Sequence, residues 1–201
     1  MRGKGARMSH SSVTDFLQAR RSVLARNMIA PGPDRATLET LLSIGVRVPD
    51  HGKLAPWRLV VVDGDDRRAL GLVAGDAYRA RHGDEKPELA QAAGDQFMRA
   101  PCVVAVLAHP MAHPKIPRSE QILSAGAVCM SLLTAAQSMG FAAQWLTGEA
   151  AYEPRVAACL GGAHDDEIVG FIYIGTSTDA PSERPRPALD DVVRFGLNTD
   201  T

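Results

Sequence analysis

Three groups of side chains in this chain have the types and spacing to hold a ligand: Arg20-Arg21-Ser22, the stretch carrying Arg47, Asp50, His51 and Lys53, and Trp145-Leu146-Thr147-Gly148 at the end of an apolar run. Guanidinium, ammonium and imidazole groups beside a hydroxyl form a donor set for an anion, and a hydrogen bond to a charged group contributes about 1.5–3 kcal/mol. The stretch from Ile44 to Trp57 passes from an apolar helix end through these basic residues to Pro56 and Trp57, with Asp50 as its single carboxylate. It reads as a ligand loop mounted between a helix and a strand. Taken singly the residues have plainer readings: surface charge for paired arginines, an idle loop histidine, a core tryptophan.

Other chemistries fail on local geometry. His109 and His113 have a metal-ligand spacing only on a helix, which Pro110 and Pro114 forbid, so no zinc or other metal site is expected. Ser22, Asp50 and His51 do not make a triad, because neighbours in an extended segment point to opposite sides and Asp50 cannot orient His51. Asp165-Asp166-Glu167 reads as a solvated turn. The chain has no glycine-rich dinucleotide fingerprint, phosphate-binding P-loop, Cys-x-x-Cys pair or nucleophile elbow, and no covalent nucleophile is called for.

Composition narrows the partners. With 201 residues, 45% hydrophobic and 22% charged, the chain has the makings of one globular domain. Its 22 basic and 23 acidic residues leave a net charge of -1, so no global field draws nucleic acid or an anionic membrane, and any anion site must be local. Cys102, Cys129 and Cys159 lie far apart in apolar surroundings and read as reduced core thiols, the pattern of a reducing, cytoplasmic compartment. Arg2, Lys4 and Arg7 are followed by no apolar stretch, so no secretory signal is expected, and Met8 is an alternative start.

The elements that must position the ligand groups follow from periodicity. Val13, Phe16 and Leu17 predict a first helix ending near Arg20-Arg21. Leu38, Leu41, Leu42, Gly45 and Val46 predict a second helix capped by Asp34 and stopped before Pro49. Trp57 to Val62, Cys102 to Ala108, Phe141 to Leu146 and Ile168 to Ile174 predict strands, with Cys102 to Ala108 central. Two helices are expected over 66–99 and a short one over Glu153 to Leu160, while His109 to Pro117, with three prolines, is loop. Ile122 to Met139 predicts a long helix, apolar on every face and buried. Its glutamines and hydroxyls, its small residues and the lack of flanking basic clusters argue against a membrane span. A helix of about 20 residues is about 30 Å long, so it either crosses the core or has one half covered by a second subunit. Residues 1–10 read as a flexible N-terminus, 11–178 as one domain and 179–201 as an extended C-terminal tail.

The order Arg20-Arg21-Ser22, Val48-Pro49-Asp50-His51, Pro56-Trp57, the uncharged helix, Gly140-Phe141 and Gly170-Phe171-Ile172-Tyr173-Ile174-Gly175-Thr176 resembles the FMN-dependent nitroreductase family in its compact bacterial branch. The likeness extends from about Phe16 to Thr176. It implies an α+β fold with a central mixed sheet flanked by helices around a long buried helix, and a homodimer with FMN in two interface clefts. It further implies NADH or NADPH as donor and a ping-pong cycle that delivers electrons to a nitroaromatic, quinone or other small acceptor. By the same resemblance Arg20, Arg21, Ser22, Arg47 and His51 contact the flavin nucleotide, some of them in the partner subunit. Trp145, Leu146 and Thr147 line the ring, with backbone groups at its polar edge. Lys53 is the candidate for stabilising the charge of the reduced flavin, and Ala135, Ala136, Gln137, Ser138, Met139 and Gly140 resemble the segment assigned to NAD(P), although helix packing explains them equally well. Alternatives of the same fold are dehalogenation or flavin breakdown; an alternative of another class is a non-catalytic dimer binding some other anion.

Overall fold

The computed structural model describes residues 13–197; the expected N-terminal stretch 1–10 lies outside the described residues. Helix α1 (Val13–Ala19) is a short entry element held by the buried Phe16. Helix α2 (Arg35–Gly45) begins as the sequence predicts, with the Asp34 carboxylate accepting from the backbone N–H of Thr37 at 2.8 Å. That bond holds the Asp34 carboxyl below its ordinary value, so the cap stabilises the fold above the usual carboxylate range and is lost as pH falls through the lowered value. Asp34→Ala is expected to lower Tm by roughly 2–4 °C at neutral pH, measured by thermal circular dichroism, with the difference from wild type vanishing in acid.

Four strands follow: β1 (Trp57–Asp63), β2 (Cys102–Ala108), β3 (Ala142–Leu146) and β4 (Glu167–Gly175), in the order β1-β2-β4-β3. Between β1 and β2 come α3 (Asp66–His82) and α4 (Pro87–Asp95), between β2 and β3 α5 (Arg118–Ser138), and between β3 and β4 α6 (Pro154–Cys159). The α+β class stands, but the sheet is antiparallel throughout rather than mixed. Strands β2 and β3 do run the same way around the crossover helix α5, as alternating helix and strand suggests. Strand β4 inserts between them in the opposite sense, so no two neighbours are parallel.

All seven residues of β2 are buried, and alternate ones feed two cores. Val103, Ala105 and Leu107 pack with Phe97, Phe171 and Val156 on one face; Val104, Val106 and Ala108 pack with Leu41, Val128 and Leu132 of α2 and α5 on the other. Helices α3 and α4 touch backbone to backbone, because a Cβ on Gly71 would lie 2.7 Å from the carbonyl oxygen of Gly94.

Helix α5 departs from expectation at its surface. It starts at Arg118, earlier than Ile122, and only one side is buried: Leu123 is 72% exposed and Met130 40%. From Gln121 onward the helix has no charge to mark its outer face, so the sequence shows that stretch as apolar all round. None of the helices among the described residues is long and apolar enough to cross a membrane. Cys102 and Cys129 are buried as expected, their thiols pushed up to about 12 by burial, whereas Cys159 is exposed at the end of α6. From Ser177 to Leu197 the chain forms no strand, and its one helical turn is α7 (Leu189–Val192).

Candidate functional site

Arginines at the end of α1 form the first cluster. Arg20 still closes the helix, its N–H donating to the carbonyl of Phe16 at 2.8 Å; the chain then runs beside β3, with Val23 N–H on the Ala143 carbonyl at 3.2 Å. Arg20 Nε donates to Gln137 Oε1 at 3.2 Å. The Arg21 guanidinium grips Glu183 of the tail through two nitrogens and also bonds the carbonyls of Gln18 and Arg20. Ser22 is exposed beside them. A cavity of about 130 Å³ lies against this group, lined by Phe16, Arg20, Arg21, Gln137 and Gly140 among others. Burial first, then the charges of Arg186 and Arg21, push Arg20 below the ordinary arginine value. Arg186, in the tail, therefore belongs to the cluster, and the doublet Arg184-Pro185-Arg186 was its signal in the sequence.

The loop forms the second cluster. Ser124 Oγ of α5 donates to the Pro49 carbonyl at 2.6 Å, fixing the loop to the helix. Gly52, Lys53 and Ala55 all have positive φ (72°, 55° and 47°), and the Asp50 carboxylate accepts from the backbone N–H groups of Leu54 and Ala55 at 3.1 and 2.9 Å. Asp50 thus serves the turn and not His51. His51 instead pairs through Nδ1 with Glu120 at 2.8 Å, a carboxylate that sequence reasoning missed because the two are 69 positions apart. Arg47 and Lys53 are exposed.

The third group sits on an edge strand. Trp145 packs into the α5-side core, and its Nε1 donates to the Val169 carbonyl at 3.2 Å across β4. Leu146, next along the strand, joins the opposite core, so the two side chains are on different faces of the sheet; Thr147 follows half-buried. Their backbone is informative: the Ala143 carbonyl points away from β4, towards Val23, so two residues on the N–H and C=O of Trp145 also point out from the edge.

Not all predicted residues meet in one place. Gln137 and Glu120 are seventeen residues apart on α5, about 25 Å at the helical rise, and they anchor Arg20 and His51 respectively. The arginine cluster is therefore beside β3 and the C-terminus of α5, and the His51 loop is at the other end of that helix. In the 135–140 segment, Ala135 and Ala136 are buried in the core, the Gln137 amide is engaged at both ends, and Ser138, Met139 and Gly140 are exposed. A larger cavity, about 670 Å³, opens elsewhere, between α6 and the start of β4, and takes in none of the predicted residues.

The nitroreductase family profile matches residues 17–176. The chain is 35% identical over 162 residues to "Putative NAD(P)H nitroreductase YdjA" of Escherichia coli, covering 81% of this chain and 86% of that one. Its fold is that of a nitroreductase-like family protein from Bacillus cereus, at TM-score 0.76 and 22% identity over 94% of this chain and 98% of the other. It is also similar to the FMN-dependent nitroreductase NfnB from Mycobacterium smegmatis, solved in complex with NADPH, at TM-score 0.68 and 20% identity over 92% and 97% of the two chains. A match running from the first arginine cluster to the end of β4 leaves one assignment: the chain belongs to the nitroreductase family.

Proposed function

We propose that this protein is an FMN-dependent NAD(P)H oxidoreductase of nitroreductase type, acting in the cytoplasm as a homodimer with one flavin in each of two interface clefts. The observation that carries the reading is the arginine cluster: Arg20 and Arg21 line a small cavity with Arg186 nearby, against the carboxylates of Glu183, which pairs with Arg21, and of Asp179, which lines the same cavity, beside an edge strand whose Trp145 backbone faces outward. A phosphate dianion and a flat polar ring fit that donor set. FMN, when bound, supplies a two-electron carrier that NADH or NADPH reduces and a nitroaromatic, quinone or other small acceptor reoxidises in ping-pong order.

Arg20, Arg21 and Ser22 would hold the phosphate end, and Trp145, Leu146 and Thr147 would lie along the ring, chiefly through the outward backbone of Trp145. His51 is anchored about 25 Å from Arg20 along α5, farther than one extended flavin nucleotide reaches, whereas Arg47 leaves the Ile44 turn that Ser131 holds nearer the middle of that helix. That distance favours His51 serving the flavin of a second copy, with Arg47 proposed to accompany it and Lys53 the proposed source of charge beside its ring. The exposed apolar stripe of α5 together with Ile44 of α2 is the surface through which the copies would meet. The 135–140 segment stays the proposed NAD(P) approach through the exposed Ser138, Met139 and Gly140, with Ala135 and Ala136 shaping it from the core.

The test is an anaerobic absorption spectrum of the purified protein before and after NADH or NADPH. Oxidised-flavin bands that bleach on reduction are the expected result; a colourless protein that takes up no added FMN overturns the reading. Arg20→Ala is expected to weaken FMN binding by roughly ten- to a hundredfold, measured by equilibrium titration.

A further inference from the structure

Gln137 is the last long polar side chain of a helix that carries no charge after Glu120, and a polar group in such a setting must find partners. It finds them on two other elements. Its Oε1 accepts from Arg20 Nε at 3.2 Å; its Nε2 donates to the Arg21 carbonyl at 2.5 Å and lies 3.5 Å from that of Ala143. One amide thus ties the end of α1 to α5 and to the edge of β3.

The effect on Arg20 is specific. A guanidinium carries five N–H donors, and among the described residues only the one at Nε is taken. The terminal nitrogens, the fork that grips a phosphate, make no hydrogen bond among the described residues. Arg21 and Arg186 stand close by with like charge, so an untethered Arg20 would swing away from them and from the cavity. Arg21 has its own carboxylate partner, Glu183; Arg20 is held by a neutral amide, which fixes the side chain without cancelling its charge. A glutamate of the same length would fix it and neutralise it together.

We infer that Gln137 is a positioning residue: it holds the Arg20 guanidinium by Nε, charge intact and fork free, for the phosphate of the flavin nucleotide. This rests on the reading of Arg20 as a phosphate ligand. It also gives Gln137 a role other than contact with the nicotinamide nucleotide.

The experiment compares FMN with riboflavin, which lacks the phosphate, by fluorescence titration of the flavin-free protein in four forms: wild type, Gln137→Met, Gln137→Glu and Arg20→Ala. Gln137→Met, similar in length but unable to hydrogen-bond, is expected to weaken FMN about tenfold and leave riboflavin unchanged. Gln137→Glu is expected to weaken FMN further, because its carboxylate occupies Arg20, and it serves as the test on its own if the methionine variant does not fold. In the Arg20→Ala background, Gln137→Met should have no further effect on FMN. Parallel losses for FMN and riboflavin, an unchanged FMN affinity, or full additivity with Arg20→Ala each overturn the assignment. If Arg20→Ala itself leaves the preference for FMN over riboflavin intact, it is the phosphate role of Arg20 that falls; if it abolishes the preference and neither Gln137 variant does, Gln137 alone falls.

Discussion

Replacing Gly170 by alanine is expected to lift the Trp145 indole off β4 and to destabilise the fold by about 2–4 kcal/mol. A Cβ at position 170 would stand 2.0 Å from Trp145 Nε1 and 2.5 Å from its Cδ1, distances no packing adjustment of tenths of an ångström relieves. Gly170 is buried in the strand that pairs with both β2 and β3, where a backbone shift would break its pairing with Val106. The indole must move, and with it goes the hydrogen bond to the Val169 carbonyl. Overpacking a core costs about 1–3 kcal/mol, and loss of a hydrogen bond adds about 1. Denaturant unfolding reads the stability, and a red-shifted tryptophan emission reads the indole; Trp57, buried at the start of β1, supplies a constant background. An unchanged midpoint with unchanged emission would refute the packing described for Trp145.

A glutamate in place of Met130 should split the proposed homodimer into monomers and strip its flavin together. Met130 and Leu123 project from the outer side of α5, and Ile44 and Val46 lie at the end of α2 that packs against it, with exposures of 37% to 72%. A carboxylate placed in the middle of such an apolar interface is removed from water, and a charge so buried and left unpaired costs several kcal/mol. Sedimentation velocity is expected to show half the wild-type mass. Flavin retention should fall by more than tenfold, because each site would lose the donors proposed to come from the other copy. Arg20→Ala makes the contrast: it loses flavin while staying dimeric. A dimeric Met130→Glu that keeps its flavin would sink both the interface and the shared site.

These predictions rest on features of unequal visibility in the sequence. The cap at Asp34, the apolar run of β2 and the stops at Pro49 and Gly140 are local signals, and the structure follows them within a few residues. The sense of the sheet is not local: it depends on β4 inserting between β2 and β3, which no residue pattern within a strand encodes. The open face of α5 escaped because Ala127, Met130 and Ser131 look alike whether they meet the core, a partner or water. Cys159 misled for a similar reason, its alanine neighbours being equally at home at a surface. Among the ligand residues the donors were legible from their chemistry, since arginine pairs and loop histidines stand out. Their supports were not: Glu120 and Gln137 meet His51 and Arg20 only after the chain has folded back over more than sixty positions.

The turn from Asp50 to Ala55 has a thermodynamic consequence. Lys53 and Ala55 occupy backbone conformations that side-chain-bearing residues rarely adopt, and Gly52 is wedged so closely against Ile116 that a Cβ there would lie 2.5 Å from its Cδ1. Both oxygens of Asp50 then lock the exit. Fixing a backbone residue costs about 1–2 kcal/mol in conformational entropy, and here that loss is taken during folding, with core packing to offset it. A ligand taken by the proposed pair His51 and Lys53 would meet a turn already frozen in shape, so little of the binding free energy would be consumed in ordering the protein.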